Sequence, residues 1–176
     1  MKSAITTKAK ATTKPISTSF KVLSAEILDE VVAIERNSSN SPWPTEHFRS
    51  SLENSHNLSY ALMLGDKLIG YVIATLAIDS ADILNIAIDS GCQRQGYATK
   101  LLRHLVNEFS ENGVKEVFLE ARVSNNGAIS FYNSQGFKQI SVRKNYYMKN
   151  SNDCLKREDG IIMRLEIATT ENNNAL

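Results

Sequence analysis

Apolar residues recur at helical spacing in four stretches of the chain, and runs with strand character separate them. The first stripe is Ile27, Leu28, Val31, Val32 and Ile34, a helix that Ser24 is placed to cap and that ends near the polar run RNSSNS. Pro42 and Pro44 break the chain around Trp43, and Thr45 starts a short second helix through His47, Phe48 and Leu52. YALMLGDKLIGYVIATLAI reads as two β-rich runs joined by Gly65-Asp66-Lys67, a hairpin, and ADILNIAI supplies a third strand. Leu101, Leu102, Leu105, Val106 and Phe109 then line one face of a helix whose other face carries Lys100, Arg103, His104, Asn107 and Glu108. Gly113 ends that helix, VKEVFLEARV forms a strand, and Asn125 or Asn126 caps a last short helix with Ala128, Ile129, Phe131 and Tyr132 before Gly136. The order predicts an α/β (α+β) domain whose sheet begins antiparallel.

Composition narrows the picture. A chain of 176 residues, 42% hydrophobic and 22% charged, is the size of one ordinary domain with a core of its own. Residues 1–19 are rich in Lys, Thr, Ser and Ala, with no acid before Glu26, and read as a disordered tail, as do residues 168–176; the domain is expected over 20–167. The tail lacks the continuous apolar stretch of a signal peptide and the arginines of a transit peptide. A net charge of +1 with scattered basic residues argues against a specific nucleic-acid surface. Cys92 and Cys154 form no metal or disulfide pattern, so no metal is implied and a cytoplasmic, reducing setting fits. The longest apolar runs fall far short of the ~20 residues that span a bilayer, so no membrane association is expected.

The chemistry enters at CQRQGYATKLLRHL. The amides at the start of a helix have no intrahelical carbonyls to bond, and the helix dipole adds to their pull on an anion. Gly96 lets the backbone approach a phosphate, Arg94 adds charge, and Gln93 and Gln95 can brace the loop. The same turn also reads as a plain cap. It lacks the glycines and lysine of nucleotide-triphosphate and dinucleotide loops, which disfavours ATP and NAD.

The pattern Q-x-x-G-x-[GA] at Gln93 to Ala98, a strand ending near Glu120, and NNGAISFYNSQGF at Asn125 to Phe137 resemble the GNAT superfamily of acyl-CoA-dependent N-acetyltransferases. LNIAI, QRQGYATKLLRHL, LEARVSNNGAISFYNSQGF, RKNYY and REDGIIMRL resemble its RimI family, which acetylates the N-terminal alanine of a small-subunit ribosomal protein. The resemblance covers roughly Ser19 to Ile167. It departs from the family's usual pattern at Ser90, where proline is common, at Ala98, where glycine is usual, and in a longer MKNSNDCLK segment before Arg157.

This resemblance implies a mixed, mostly antiparallel sheet flanked by helices and splayed at an acetyl-CoA site. It implies that amides of the loop formed by Arg94, Gln95, Gly96, Tyr97, Ala98 and Thr99 hold the pyrophosphate. Backbone groups of Ile86, Ala87 and Ile88 would serve the pantetheine arm and thioester carbonyl, and Asn125 would contact the cofactor. Glu120 matches the family's base and Tyr132 the acid that protonates the leaving sulfur. Read without the family, Glu120 pairs with Arg122 or another basic neighbour, Tyr132 is a core aromatic, and Asn125 is a helix cap. Trp43, Tyr146 and Tyr147 fall where the family's acceptor cleft lies, as wall residues or as packing. His47, His56 and His104 read as surface or helix positions, with His104 on the polar face. The acceptor implied is a protein N-terminus; a small-molecule amine, or a regulator that only binds acyl-CoA, are the alternatives.

Overall fold

Seven strands form one sheet among the described residues, which in this computed structural model are 17–148 and 156–167. In chain order they are β1 (Thr18–Val22), β2 (Asn57–Leu64), β3 (Lys67–Leu76), β4 (Ser80–Ile88), β5 (Glu116–Arg122), β6 (Lys138–Met148) and β7 (Arg157–Glu166), and their spatial order is β1-β2-β3-β4-β5-β7-β6. Every neighbouring pair is antiparallel except β4 with β5. The expectations for the terminal tails before residue 17 and after residue 167, and for most of the MKNSNDCLK segment, lie outside the described residues.

Helices cover both faces. β3 is therefore apolar on both sides, buried continuously from Leu68 to Ala74 rather than alternating. Val72 and Ala74 face a cluster completed by Leu101, Leu102, Leu105 and Phe109 of α3 (Tyr97–Glu111) and by Tyr132 of α4 (Asn126–Ser134). Tyr71 and Ile73 face the opposite cluster, made with Leu28, Val31, Val32 and Ile34 of α1 (Leu28–Ser38) and Phe48 of α2 (Thr45–Glu53). This two-residue alternation clamps the sheet between two helical layers, each buried aliphatic side chain contributing about 1.5–3 kcal/mol.

The pattern of the sequence erred in three places. Thr18 and Ser19, read as the end of the tail, lie in β1, whose register with β2 runs from Thr18↔Leu64 to Val22↔Tyr60. Ser24 makes no side-chain cap bond; it precedes a 3-10 turn at Ala25–Ile27 that leads into α1. His104 does not simply face solvent, because β1 brings Phe20 into a stack on its ring at 4.0 Å, and Tyr60 meets it edge-on at 4.6 Å.

Candidate active site

The sheet opens at its one parallel pair. β4 and β5 are in register from Ser80↔Glu116 to Ile83↔Leu119 and then separate, while β4 stays bonded to β3 as far as Gly70↔Ile88, and β5 to β7 as far as Arg122↔Gly160. A bulge marks the divergence: Ile73 pairs with Asn85 and Ala74 with Ile83, which leaves Leu84 as the extra residue. An extra residue bends a strand and increases its twist, so Leu84 turns the rest of β4 away from β5. Past this point the backbone edge of Ile86, Ala87 and Ile88 faces a groove of about 1070 Å³ instead of a strand.

The polar turn sits at one end of the groove. Arg94 has φ +61° and Gly96 φ +82°, and the first helical bond of α3 runs from the Lys100 N–H to the Gly96 carbonyl at 3.1 Å. The amides before Lys100 are thus left without intrahelical acceptors, at the positive end of a 15-residue helix. A Cβ on Gly96 would meet nothing within 4 Å, so it is backbone conformation and open approach that require glycine there. The glutamines brace the loop as expected: Gln93 Nε2 donates to the Ile88 carbonyl at 3.1 Å and Gln95 Nε2 to that of Gly91 at 3.3 Å. Asp89 anchors its base, accepting from Gly91 N at 3.2 Å and from Lys67 Nζ at 2.8 Å.

Glu120 and Tyr132 line the same groove. The Glu120 side chain is 19% exposed; its Oε2 accepts from Arg143 at 2.9 Å, its Oε1 is buried, and the Tyr147 phenol beside the carboxylate is pushed well above the ordinary tyrosine value, by burial first and then by Glu120. Oε1 packs on β7, where a Cβ added to Gly160 would lie 2.8 Å away. Tyr132 is 8% exposed, between Phe131 and Phe137, and burial pushes its phenol well above the ordinary tyrosine value. It stays protonated across the physiological range and can give a proton to a strongly basic neighbour.

Of the other expected site residues, Ile86, Ala87, Ile88, Arg94, Gly96, Ala98, Thr99, Asn125 and Tyr147 line the groove. Asn125 also caps α4, its Oδ1 accepting from Ala128 N at 3.1 Å. Gln95 and Tyr97 turn away from it, Gln95 onto the Gly91 carbonyl and Tyr97 beneath the Lys100 ammonium at 5.7 Å. Trp43 packs in the α1–α2 core with its ring 5.5 Å from Phe48, and residues 38–41 take the groove wall in its place. Tyr146 lies outside the groove under Arg143, whose guanidinium carbon is 3.9 Å from the ring centroid.

Three charged residues to which the sequence reading assigned no site role line the groove. Arg122 bonds Glu158 Oε1, the Met148 carbonyl and Ser41 Oγ, each at 2.9 Å, and covers the Tyr147 ring at 4.3 Å. It therefore pairs with Glu158 rather than Glu120. Glu158 is buried beside it, and Glu35 is buried elsewhere along the groove. Glu35 carried a legible signal: it falls at i+4 from Val31 and i+7 from Leu28, so a charge interrupts the apolar stripe of α1. Among the described residues no three His, Cys, Asp or Glu side chains gather as a metal site, and no helix is long and apolar enough to cross a membrane.

A helix N-terminus facing the free edge of a splayed strand, with a carboxylate and a phenol along the gap, is an arrangement that acyl transfer can use. The chain belongs to the acetyltransferase (GNAT) family, whose profile matches residues 28–137. It is 37% identical over 135 residues, 77% of this chain and 88% of the relative, to the [ribosomal protein bS18]-alanine N-acetyltransferase of Escherichia coli K12. The crystal structure of the ribosomal-protein-S18-alanine N-acetyltransferase from Escherichia coli superposes with a TM-score of 0.80 at 34% identity, covering 91% of this chain and all of that one. Arabidopsis thaliana NAA60 in complex with acetyl-CoA shares the fold at 18% identity, with a TM-score of 0.75 over 86% of this chain and 99% of that one.

Proposed function

We propose that this N-acetyltransferase carries the acetyl group of acetyl-CoA to the N-terminal α-amine of a protein, and that its acceptor is the N-terminal alanine of a small-subunit ribosomal protein of the bS18 kind, in the cytoplasm. The observation that carries the reading is the placement of Glu120 and Tyr132 in one groove with the unpaired end of β4. The relatives named for that alanine acetylation, and the crystal structure named for it, favour this acceptor over a small-molecule amine.

Acetyl-CoA would supply the acyl group as an activated thioester. The loop from Arg94 to Thr99, with its open approach at Gly96, suits the pyrophosphate, and the free edge at Ile86, Ala87 and Ile88 suits the pantetheine arm, an amide there donating to the carbonyl oxygen as charge develops. Asn125 stands on the facing wall. Glu120 takes the surplus proton as the new C–N bond forms, through water or directly onto its carboxylate. Tyr132 gives its proton to the sulfur as the C–S bond breaks. A base of modest strength suffices for a terminal amine, whose reference pKa of ~7.8 leaves an appreciable neutral fraction at pH 7, while a lysine at ~10.4 is almost wholly charged.

The test is to supply acetyl-CoA with free peptides beginning Ala-Arg, Ser and Met, an N-terminally blocked peptide with an internal lysine, and polyamines. Free N-terminal peptides should give the highest kcat/KM, with the blocked peptide inert. Faster turnover of polyamines or of lysine side chains than of every free terminus refutes the reading in favour of a small-amine enzyme.

A further inference from the structure

Glu35 is a charged side chain inside the α1–α2 core, only 3% exposed, and the chemistry above makes no use of it. A carboxylate is removed from water at large cost unless donors meet it. Here they come from three separate elements. Oε1 accepts the Trp43 backbone N–H at 2.9 Å and the Asn85 amide at a longer 3.4 Å, and Oε2 accepts the Tyr71 hydroxyl at 2.7 Å. Burial first, and then the Glu35 charge beside it, push the Tyr71 phenol far up, so Tyr71 stays a donor. No ion pair to Glu35 exists among the described residues; neutral donors hold it.

The places these donors come from matter more than their number. Trp43 lies eight residues beyond Glu35, so the carboxylate closes a loop from the last turn of α1 to the entrance of α2. Within the loop, residues 38–41 line the acceptor end of the groove. The loop is stiffened by Ser38 Oγ donating to the Ile34 carbonyl at 2.7 Å and by Arg122 donating to Ser41 Oγ at 2.9 Å. The other donors belong to the sheet: Tyr71 is on β3, and Asn85 stands between the Leu84 bulge and Ile86, where β4 leaves β5. One carboxylate therefore ties the loop that carries residues 38–41 to Asn85 on the splayed end of β4.

We propose that Glu35 is a positioning residue that fixes the wall at residues 38–41 against the splayed end of β4 and thereby sets how the acceptor is held. This rests on the reading of the groove as the acceptor site of an acetyltransferase. A carboxylate offers acceptor lone pairs to all three donors; a glutamine of equal size keeps all three contacts only by reversing the Tyr71 bond, so that the hydroxyl accepts, and it loses the charge that strengthens the bond to the Trp43 N–H.

The experiment compares wild type, Glu35→Gln and Tyr71→Phe by thermal melting, calorimetric acetyl-CoA binding, and the KM and kcat for whichever amine wild type acetylates fastest. Glu35→Gln should raise the acceptor KM roughly tenfold, the size of one or two weakened hydrogen bonds to a charged group, and leave acetyl-CoA affinity unchanged. Tyr71→Phe, which keeps the bond to Trp43, should move the acceptor KM in the same direction by less, and it decides the matter if Glu35→Gln does not fold. An acceptor KM that stays put, or that worsens in step with acetyl-CoA affinity, overturns the proposal and leaves Glu35 a core residue. Because the ratio is read on the best amine, a wild type that prefers polyamines refutes the terminal-amine reading without touching the result for Glu35.

Discussion

Glu120 and Arg143 form a 2.9 Å ion pair that reaches across an intervening strand. β7 lies between β5 and β6, and the residue crossed is Gly160, which registers with Arg122 on one side and with Arg143 on the other. A side chain at 160 would stand in the way, its Cβ 2.8 Å from Glu120 Oε1 and 3.2 Å from the edge of the Tyr147 ring. The carboxylate is thus aimed by a cation two strands away over a gap in the side-chain layer.

Arg143→Ala should leave the fold nearly as stable, because the arginine is half exposed and such pairs contribute about 0–1 kcal/mol. The Glu120 carboxylate loses its fixed direction, so kcat should fall several-fold at constant acetyl-CoA KM. Gly160→Ala should fold, since the group it displaces is the end of a flexible side chain, and should share the kinetic defect. Steady-state kinetics with melting curves on both variants check this; unaltered kcat in both means the ion pair has no part in aiming the base.

Tyr132→Phe and Glu120→Gln should fail differently. The first keeps the buried ring and removes the hydroxyl proposed as proton donor, so stability and acetyl-CoA affinity should survive while kcat falls by roughly 10²-fold. The second should recover partly as pH rises toward the amine's own ~7.8, where more acceptor arrives neutral, a rescue that Tyr132→Phe does not share. Full pH–rate profiles in single turnover separate the two, and near-normal chemistry in Tyr132→Phe would reduce that residue to a packing role.

At Gly96 the conformation and the open approach can be tested together. Gly96→Ala meets no atom within 4 Å but forces an L-residue to φ +82°, a cost of about 1–2 kcal/mol. Gly96→Asp adds a carboxylate where the pyrophosphate is proposed to lie. Both should lose stability, and Asp should weaken acetyl-CoA by calorimetry far more than Ala. Equal cofactor affinity in the two variants would leave the turn as a cap alone.

Asp89 gives the loop a pH dependence. The Lys67 ammonium, and then the Gly91 N–H, hold its carboxyl below the usual range. A depressed value in the folded state means that the stabilisation is complete above the unfolded value of ~3.9 and is lost as pH falls through the folded one. Asp89→Asn should therefore melt earlier than wild type at pH 7, with the gap closing only in strong acid. A gap that persists there would show that the charge is not its source.

The central half of the fold was legible because burial there is strong and periodic: α3, the β2–β3 hairpin and β4 each bury a clear face. β6 was not, since it is the sheet's edge strand and is exposed along most of its length, which leaves no alternation to read. β1 hid in five residues behind a polar tail, and missing it put His104 in solvent when Phe20 covers it. In the site, the motif-bearing loop and strand could be read from local order. The Arg122–Glu158 and Glu35–Tyr71 contacts join residues 36 positions apart in sequence, and only the folded sheet brings them together.

The bulge at Leu84 gives the sheet an edge in its interior. Strand edges are usually found at the rim, where they recruit further backbone; this one is walled in by helices and open only along the groove. A ligand with amide groups spaced along an extended arm would bond there as an extra strand does, so binding would knit the two halves of the sheet into one hydrogen-bonded unit rather than fill a preformed hole. Those amides between Asn85 and Ile88 that face the groove should then pass from fast to slow hydrogen exchange when acetyl-CoA binds, while those facing β3 change little, and the protein's two half-sheets should melt as one.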